Sequence, residues 1–186
     1  MPPRTVVVFA ATGNIGAPLV ERLSRDNATE VKWDVVALTR DPSSRSAARL
    51  AALPGVRAVK AADDCMDAPA KCFDALGFKH GDVYGVFSNQ GYVSDARTIA
   101  QGPPVSVDFP LIFTGSAIAD ATKALGVQHI VFSSSDFGGL EDSGVATFEA
   151  KRTIENHIKS VGIPYSALPR SLTTLTARRS SAPSTS

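Results

Sequence analysis

No stretch of this 186-residue sequence approaches the ~20 consecutive apolar residues that a membrane-spanning helix needs. The start, MPPRTVVVFAATG, has no cationic segment leading into a long apolar run and a cleavage site, so no secretory leader is expected. Neither sign of charge is in excess: 19 Lys and Arg against 18 Asp and Glu leave a net charge of +1. A chain so balanced lacks the electrostatic footprint of a general nucleic-acid or anionic-membrane binder. Cysteine is limited to Cys65 and Cys72, and histidine to three residues. Two cysteines without histidines at ligand spacing make no zinc site. In a reducing compartment they are expected as free thiols. The expected location is cytosol or nucleus, with no membrane and no direct nucleic-acid partner. Neither an internal repeat nor a block of like charge is present.

What the sequence does have is 44% hydrophobic residues arranged in a rhythm. A chain of this length can bury one full core. Short apolar runs read as strands over Val6–Ala10, Asp34–Thr39, Val56–Ala61, Asp82–Ser88, His129–Ser134 and Pro164–Pro169. Between them, helical spacing covers Ile15–Arg25, Ser43–Leu53, Ala68–Leu76, Ser116–Leu125 and Phe148–Val161, with Gly126 and Gly162 as stops. Alternating strands and helices predict an α/β doubly wound parallel sheet with helices on both faces. Six strands match the Rossmann order 3-2-1-4-5-6. The expected domain is 1–170. Gly91–Gly115, with its Gly102-Pro103-Pro104, reads as a loop folding over the carboxyl ends of the strands. Ser171–Ser186 is rich in Ser, Thr and Ala without an acid or a helical stripe, and is expected to be disordered.

The first strand leaves through Ala10-Ala11-Thr12-Gly13-Asn14-Ile15-Gly16 straight into a helix. Small residues stand at 10, 13 and 16. In a dinucleotide site the first allows the tight turn, the second lets a pyrophosphate approach the backbone, and the third lets the helix pack on the strand. The first helical N–H groups, with Asn14 and Ile15, would then face phosphate. Ala10 stands where the pattern has glycine, and alanine suits that turn only at negative φ. The other reading is a bare strand–helix corner that simply needs small residues. At the end of the second strand an acid would favour NAD(H) by binding the ribose 2′-OH. The sequence has Leu38-Thr39-Arg40-Asp41 there. Arg40 can pair with a 2′-phosphate, which favours NADP(H) over NAD(H). Alternatively it is a solvated arginine, partly neutralised by Asp41.

With VVVFAATGNIG, VVALTRDPSS, VYGVFSN, ATKALGVQHIVFSSS and FEAKRTIENHIKSVGIPYSALPRS in view, the chain resembles the NmrA-like family of atypical short-chain dehydrogenase/reductases. The resemblance runs from about Val6 to Ser171 and matches poorly over Gly91–Gly115. It implies a cofactor site with the glycine motif on Ala10, Gly13 and Gly16 and the basic residue on Arg40. It puts an acidic pair near the adenine on Asp63 and Asp64. Phe87, Ser88 and Asn89 would line the cofactor at the end of the fourth strand. A helix lysine that binds the nicotinamide ribose or relays a proton falls on Lys151. Ser134 and Ser135 stand where a catalytic serine would. The Tyr-x-x-x-Lys pair of ordinary short-chain dehydrogenases is broken, since Thr147 precedes Lys151 by four and cannot supply the proton. Without that tyrosine, Lys151 also reads as a surface lysine on an amphipathic helix. The family usually continues into a helical substrate region beyond the sixth strand, and here a low-complexity segment follows.

Three expectations result. The first is an NADP(H)-binding, redox-responsive regulator that binds a dinucleotide and a protein partner such as a transcription factor. The second is an NADPH-dependent reductase of the isoflavone-reductase or quinone-reductase kind, with Lys151 as proton relay. The third is a truncated product without independent activity, whose exposed sheet edge would favour association.

Overall fold

The computed structural model describes residues 2–26, 32–61, 68–89 and 108–170. The strands are β1 (Arg4–Val8), β2 (Trp33–Thr39), β3 (Val56–Lys60), β4 (Gly85–Ser88), β5 (His129–Ser135) and β6 (Tyr165–Arg170). The helices are α1 (Gly16–Asp26), α2 (Arg45–Ala51), α3 (Pro69–Ala75), α4 (Asp108–Ala124) and α5 (Ala146–Val161). All neighbouring strands pair in parallel, in the order β3-β2-β1-β4-β5-β6. This is the expected doubly wound sheet. The order reverses between β1 and β4, and ligands of such folds sit beyond the carboxyl ends of the strands at that point.

Strand alternation assigns the two faces. Val6, Val8, Val35, Ala37 and Phe87 pack with Ala17, Val20 and Leu50 under α1 and α2. Val7, Phe9, Val36, Leu38 and Val86 pack with Phe73 and Ile118 under α3 and α4. Farther along that second face, Ile130 and Phe132 meet Ile154 and Ile158 of α5. Val7, Val8, Val35, Val36 and Ile130 are fully buried. Apolar residues on both faces of the central strands are what a parallel sheet between helix layers requires.

Three expectations need correction. β1 stops at Val8 rather than Ala10, because Ala10 adopts φ +51 and cannot extend a strand. The turn therefore uses the left-handed conformation, not the negative φ that alanine prefers, at a strain of about 1–2 kcal/mol. Residues 108–115 are not loop: α4 begins at Asp108, eight positions before the helix read from the sequence. Pro110 and Gly115 mask that helix in the sequence. Pro110 lies in the first turn, where a missing N–H costs nothing. Gly115 is there for space, since a Cβ would come within 2.6 Å of Ile154 Cδ1 on α5. The rest of the expected loop lies outside the described residues. Finally, Cys72 is not a free thiol: it is disulfide-bonded and buried in the core. The chain's other cysteine, Cys65, lies outside the described residues. Among the described residues no helix is long and apolar enough to cross a membrane.

Candidate dinucleotide site at the carboxyl ends of the strands

The β1–α1 turn is fastened to both neighbouring strands. Phe9 N donates to Phe87 O of β4 at 3.0 Å, and Ala11 N donates to Leu38 O of β2 at 3.2 Å. Inside the turn Gly13 N donates to Ala10 O and Ala17 N to Gly13 O, both at 3.0 Å. The N–H groups of Thr12, Asn14, Ile15 and Gly16 find no acceptor among the described residues. Gly13 and Asn14 are exposed, and Thr12 and Ile15 are half-buried. Unused donors at the start of an 11-residue helix add to its dipole and form a place for an anion.

The turn is also closely packed. A Cβ on Gly16 would stand 2.4 Å from Ala10 O and 2.7 Å from Ala11 Cα. A Cβ on Gly13 would stand 3.2 Å from Ala10 O. Glycine at 16 is what lets α1 lie against the turn.

Arg40 follows β2 directly, is exposed, and forms no ion pair among the described residues. Asp41 makes no ion pair with it among the described residues; its carboxylate is turned to Ser43 instead. Asp41 Oδ1 accepts from Ser43 Oγ at 2.6 Å and from Ser43 N at 2.9 Å. Those bonds, the hydroxyl's first, hold the Asp41 carboxyl below the usual carboxylate range. Ser44 then caps α2 by accepting from Ala47 N at 3.3 Å. Arg45, exposed at the start of α2, is a second cation on the same turn. The sequence reading did not single it out, although Arg-Asp-Pro-Ser-Ser-Arg places it one turn beyond Arg40.

At the switch point Phe87, Ser88 and Asn89 are all buried at the end of β4, and the Phe87 side chain belongs to the core beneath α1. Asp64 and its neighbour Asp63 lie outside the described residues.

At the end of β5 the structure brings Ser134 and Lys151 to one place. Lys151 is half-buried, and its Nζ donates to Ser133 O and stands 5.2 Å from the Phe132 ring centroid. It is therefore held against the sheet rather than out in solvent. Ser134, nearly buried, donates its hydroxyl to Glu155 Oε2 at 2.7 Å. Glu155 Oε1 pairs in turn with Lys159 Nζ at 3.2 Å, and that contact raises the Lys159 pKa. Sequence reading missed Glu155. Its only signal is the spacing, one helical turn past Lys151. Thr147, one turn before Lys151, is half-buried and no proton donor.

The β5–α5 loop is pinned over this end. Ser143 donates to Glu149 Oε1 through both N and Oγ, at 2.9 and 2.6 Å, which lowers the Glu149 pKa. Arg152 lies 4.1 Å from the Phe137 ring centroid and donates to Leu140 O at 2.8 Å. Between this loop, α5 and β6 runs an open cleft of about 720 Å³ with Ser134 and Glu155 in its wall.

Residues 2–173 match the model of the NmrA-like family. The chain belongs to that family. Two curated relatives are similar over most of this chain. The NmrA-like family domain-containing oxidoreductase malD of Malbranchea aurantiaca is 35% identical over 165 residues, 86% of this chain and 44% of that protein. The nitrogen metabolite repression protein nmr of Neurospora crassa is 27% identical over 173 residues, 88% of this chain and 34% of that protein. The chain thus spans less than half the length of the curated relatives it matches. Among solved structures, the negative transcriptional regulator NmrA in complex with NADP superposes with a TM-score of 0.66 at 22% identity. That match covers 90% of this chain and 45% of NmrA.

Proposed function

We propose that this chain binds a nicotinamide dinucleotide, NADP(H) in preference to NAD(H), and serves as a redox-responsive regulator with a protein partner such as a transcription factor. The observation that carries the reading is the β1–α1 turn: four N–H groups without acceptors among the described residues, beside a Gly16 position that no side chain can fill. A pyrophosphate supplies what those donors lack. Arg40, without an ion pair among the described residues while Asp41 is held by Ser43, supports the 2′-phosphate preference. The regulator part draws on the names of nmr and NmrA and on Thr147, which leaves the lysine without a tyrosine to donate a proton.

The test is thermal unfolding of the chain with NADP, NADPH, NAD and NADH. A ligand that binds only the folded state at a hundred times its Kd adds about 2.7 kcal/mol. For a domain of this size that raises the midpoint by roughly 5–10 °C. The expected shift is larger with NADP(H) than with NAD(H). No shift with any of them would reduce the turn to a strand–helix corner, and a product without independent activity would become the better account.

A second reading, an NADPH-dependent reductase of the isoflavone-reductase or quinone-reductase kind, is favoured by Ser134 and Lys151 sharing the end of β5. Several relatives, malD included, are named oxidoreductases. It predicts NADPH oxidation with quinones or enones that falls at least about a hundredfold in Lys151→Ala, the size expected when a positioned proton-transfer group is lost. Cofactor binding without turnover on such a panel leaves the regulator.

A further inference from the structure

Three charged residues stand one turn apart on α5: Lys151, Glu155 and Lys159. Each comes one position after a residue of the buried stripe, Ala150, Ile154 and Ile158. They therefore share the flank of the helix beside that stripe. The stripe already holds α5 on the sheet, where Ile154 and Ile158 meet Ile130 and Phe132 of β5. The charged flank reaches the last residues of β5 instead. Lys151 Nζ donates to Ser133 O. Glu155, with 17% of its side chain exposed, joins two groups. Its Oε2 accepts from Ser134 Oγ at 2.7 Å, and its Oε1 faces Lys159 Nζ at 3.2 Å.

A carboxylate paired with an ammonium accepts hydrogen bonds and donates none. The Ser134 proton therefore points at Glu155. What the hydroxyl keeps is its lone pairs, and no donor meets them among the described residues. Ser134 is 3% exposed and stands with Glu155 in the wall of the cleft beyond β5. A group that reaches this serine meets an acceptor. A carbonyl gains nothing there, because the proton that would polarise it is committed. The strand order says which part of a dinucleotide comes close. Arg40 follows β2, the anion turn follows β1, and β4 and β5 lie on the far side of β1. At about 4.8 Å per strand, the end of β5 is roughly 10 Å beyond the turn. A dinucleotide with its adenosine at β2 and its pyrophosphate on the turn extends its nicotinamide half that way. The nicotinamide ring carries a carboxamide, whose NH2 is a donor.

We propose that Glu155 is a positioning residue for the dinucleotide: it fixes Ser134 as a hydrogen-bond acceptor for the carboxamide N–H of the nicotinamide. The proposal rests on the dinucleotide reading above. Glu155→Gln tests it, because the new side chain has nearly the same size and can still tie α5 to β5. Lys159 only donates, so it takes the oxygen of the new amide and leaves the NH2 to Ser134. The Ser134 proton is then released toward the ligand, and the acceptor becomes a donor. Calorimetric titration of the full 186-residue chain uses three ligands. They are NADP, its acetylpyridine analogue, in which a methyl ketone without N–H replaces the carboxamide, and 2′-phosphorylated ADP-ribose, which has no nicotinamide. The parent should bind NADP about five- to tenfold more tightly than the analogue, the size of one neutral hydrogen bond. In Glu155→Gln, NADP should weaken by about that factor and the analogue should not, so the preference closes or reverses. Ser134→Ala should weaken NADP similarly and leave Glu155→Gln without further effect in the double variant. The ligand without nicotinamide should bind all of these proteins alike. A parent that binds NADP and the analogue equally overturns the proposal, whether or not any variant folds. So does a Glu155→Gln protein that binds all three ligands as the parent does, which leaves Glu155 as a helix tie and the dinucleotide reading intact. Equal weakening of all three also overturns it, since the change then lies away from the nicotinamide. A parent that binds none of them removes the dinucleotide reading as well.

Discussion

Replacing Gly16 by alanine should lower stability by about 3 kcal/mol, the cost of forcing a methyl into a packed contact that cannot yield. The obstacle is backbone: Ala10 O at 2.4 Å and Ala11 Cα at 2.7 Å from the new Cβ. No rotamer change relieves it, so α1 must move away from the turn. For a domain of this size the unfolding midpoint should drop by roughly 6–12 °C. Moving α1 also redirects the unused N–H groups of Asn14, Ile15 and Gly16, so the midpoint shift produced by NADP should disappear. Thermal unfolding of the variant with and without NADP reads both effects. A variant as stable as the parent would show that the turn has slack, and would remove the main support for an anion site. Ala10→Gly provides the contrast. It relieves about 1–2 kcal/mol of left-handed strain and gives back roughly 0.4–1 kcal/mol through a freer unfolded chain. It should be neutral to slightly stabilising, whereas Gly16→Ala is severe.

Arg40→Ala should separate the two cofactors. A charge-assisted contact to a phosphate is worth roughly 2–3 kcal/mol. Its loss should weaken NADP(H) by about 30- to 100-fold. NAD(H), which carries no 2′-phosphate, should change by no more than about twofold. Calorimetric titration of both cofactors into both proteins measures the difference, and raised salt should narrow it, because the pairing is exposed. Equal weakening of both cofactors would assign Arg40 to the shared part of the nucleotide. No change in either would leave the 2′-phosphate to Arg45, the other cation on that turn.

The fold could be read in the sequence because a parallel sheet writes itself plainly. Val6–Phe9 and Val35–Leu38 are buried on both faces and read as unbroken apolar runs. The turn after β1 was legible for a similar reason, since its small residues recur at a fixed spacing before a helix. What escaped depends on contacts distant in sequence. Pro110 and Gly115 look like breakers until the helix start is located at Asp108 and Ile154 of α5 is seen to fill the space beside Gly115. Asp41 could be read as a neutraliser of Arg40 because only the three-dimensional turn reveals that Ser43 has engaged it. Glu155 is one acid among many on a polar helix face, and its role appears only when Ser134 reaches it from 21 residues away. The left-handed Ala10 ran against residue preference, and propensity gives no hint where a turn overrides it.

The strand order also bears on how the chain assembles. β1, β2 and β3 are neighbours in sequence, as are β4, β5 and β6, so each half-sheet forms through short loop closures. The seam between halves is different. β1 must await β4, which follows it by most of the first half of the chain, and the ladder joining them is the shortest in the sheet. Three register pairs hold it, Val6 with Gly85, Val7 with Val86 and Val8 with Phe87. A ladder that is both late and short is a natural last step in folding and an early one in opening. On the ribosome the first half-sheet would emerge with the central edge of β1 exposed, and the protein becomes a single cooperative body only when that edge closes.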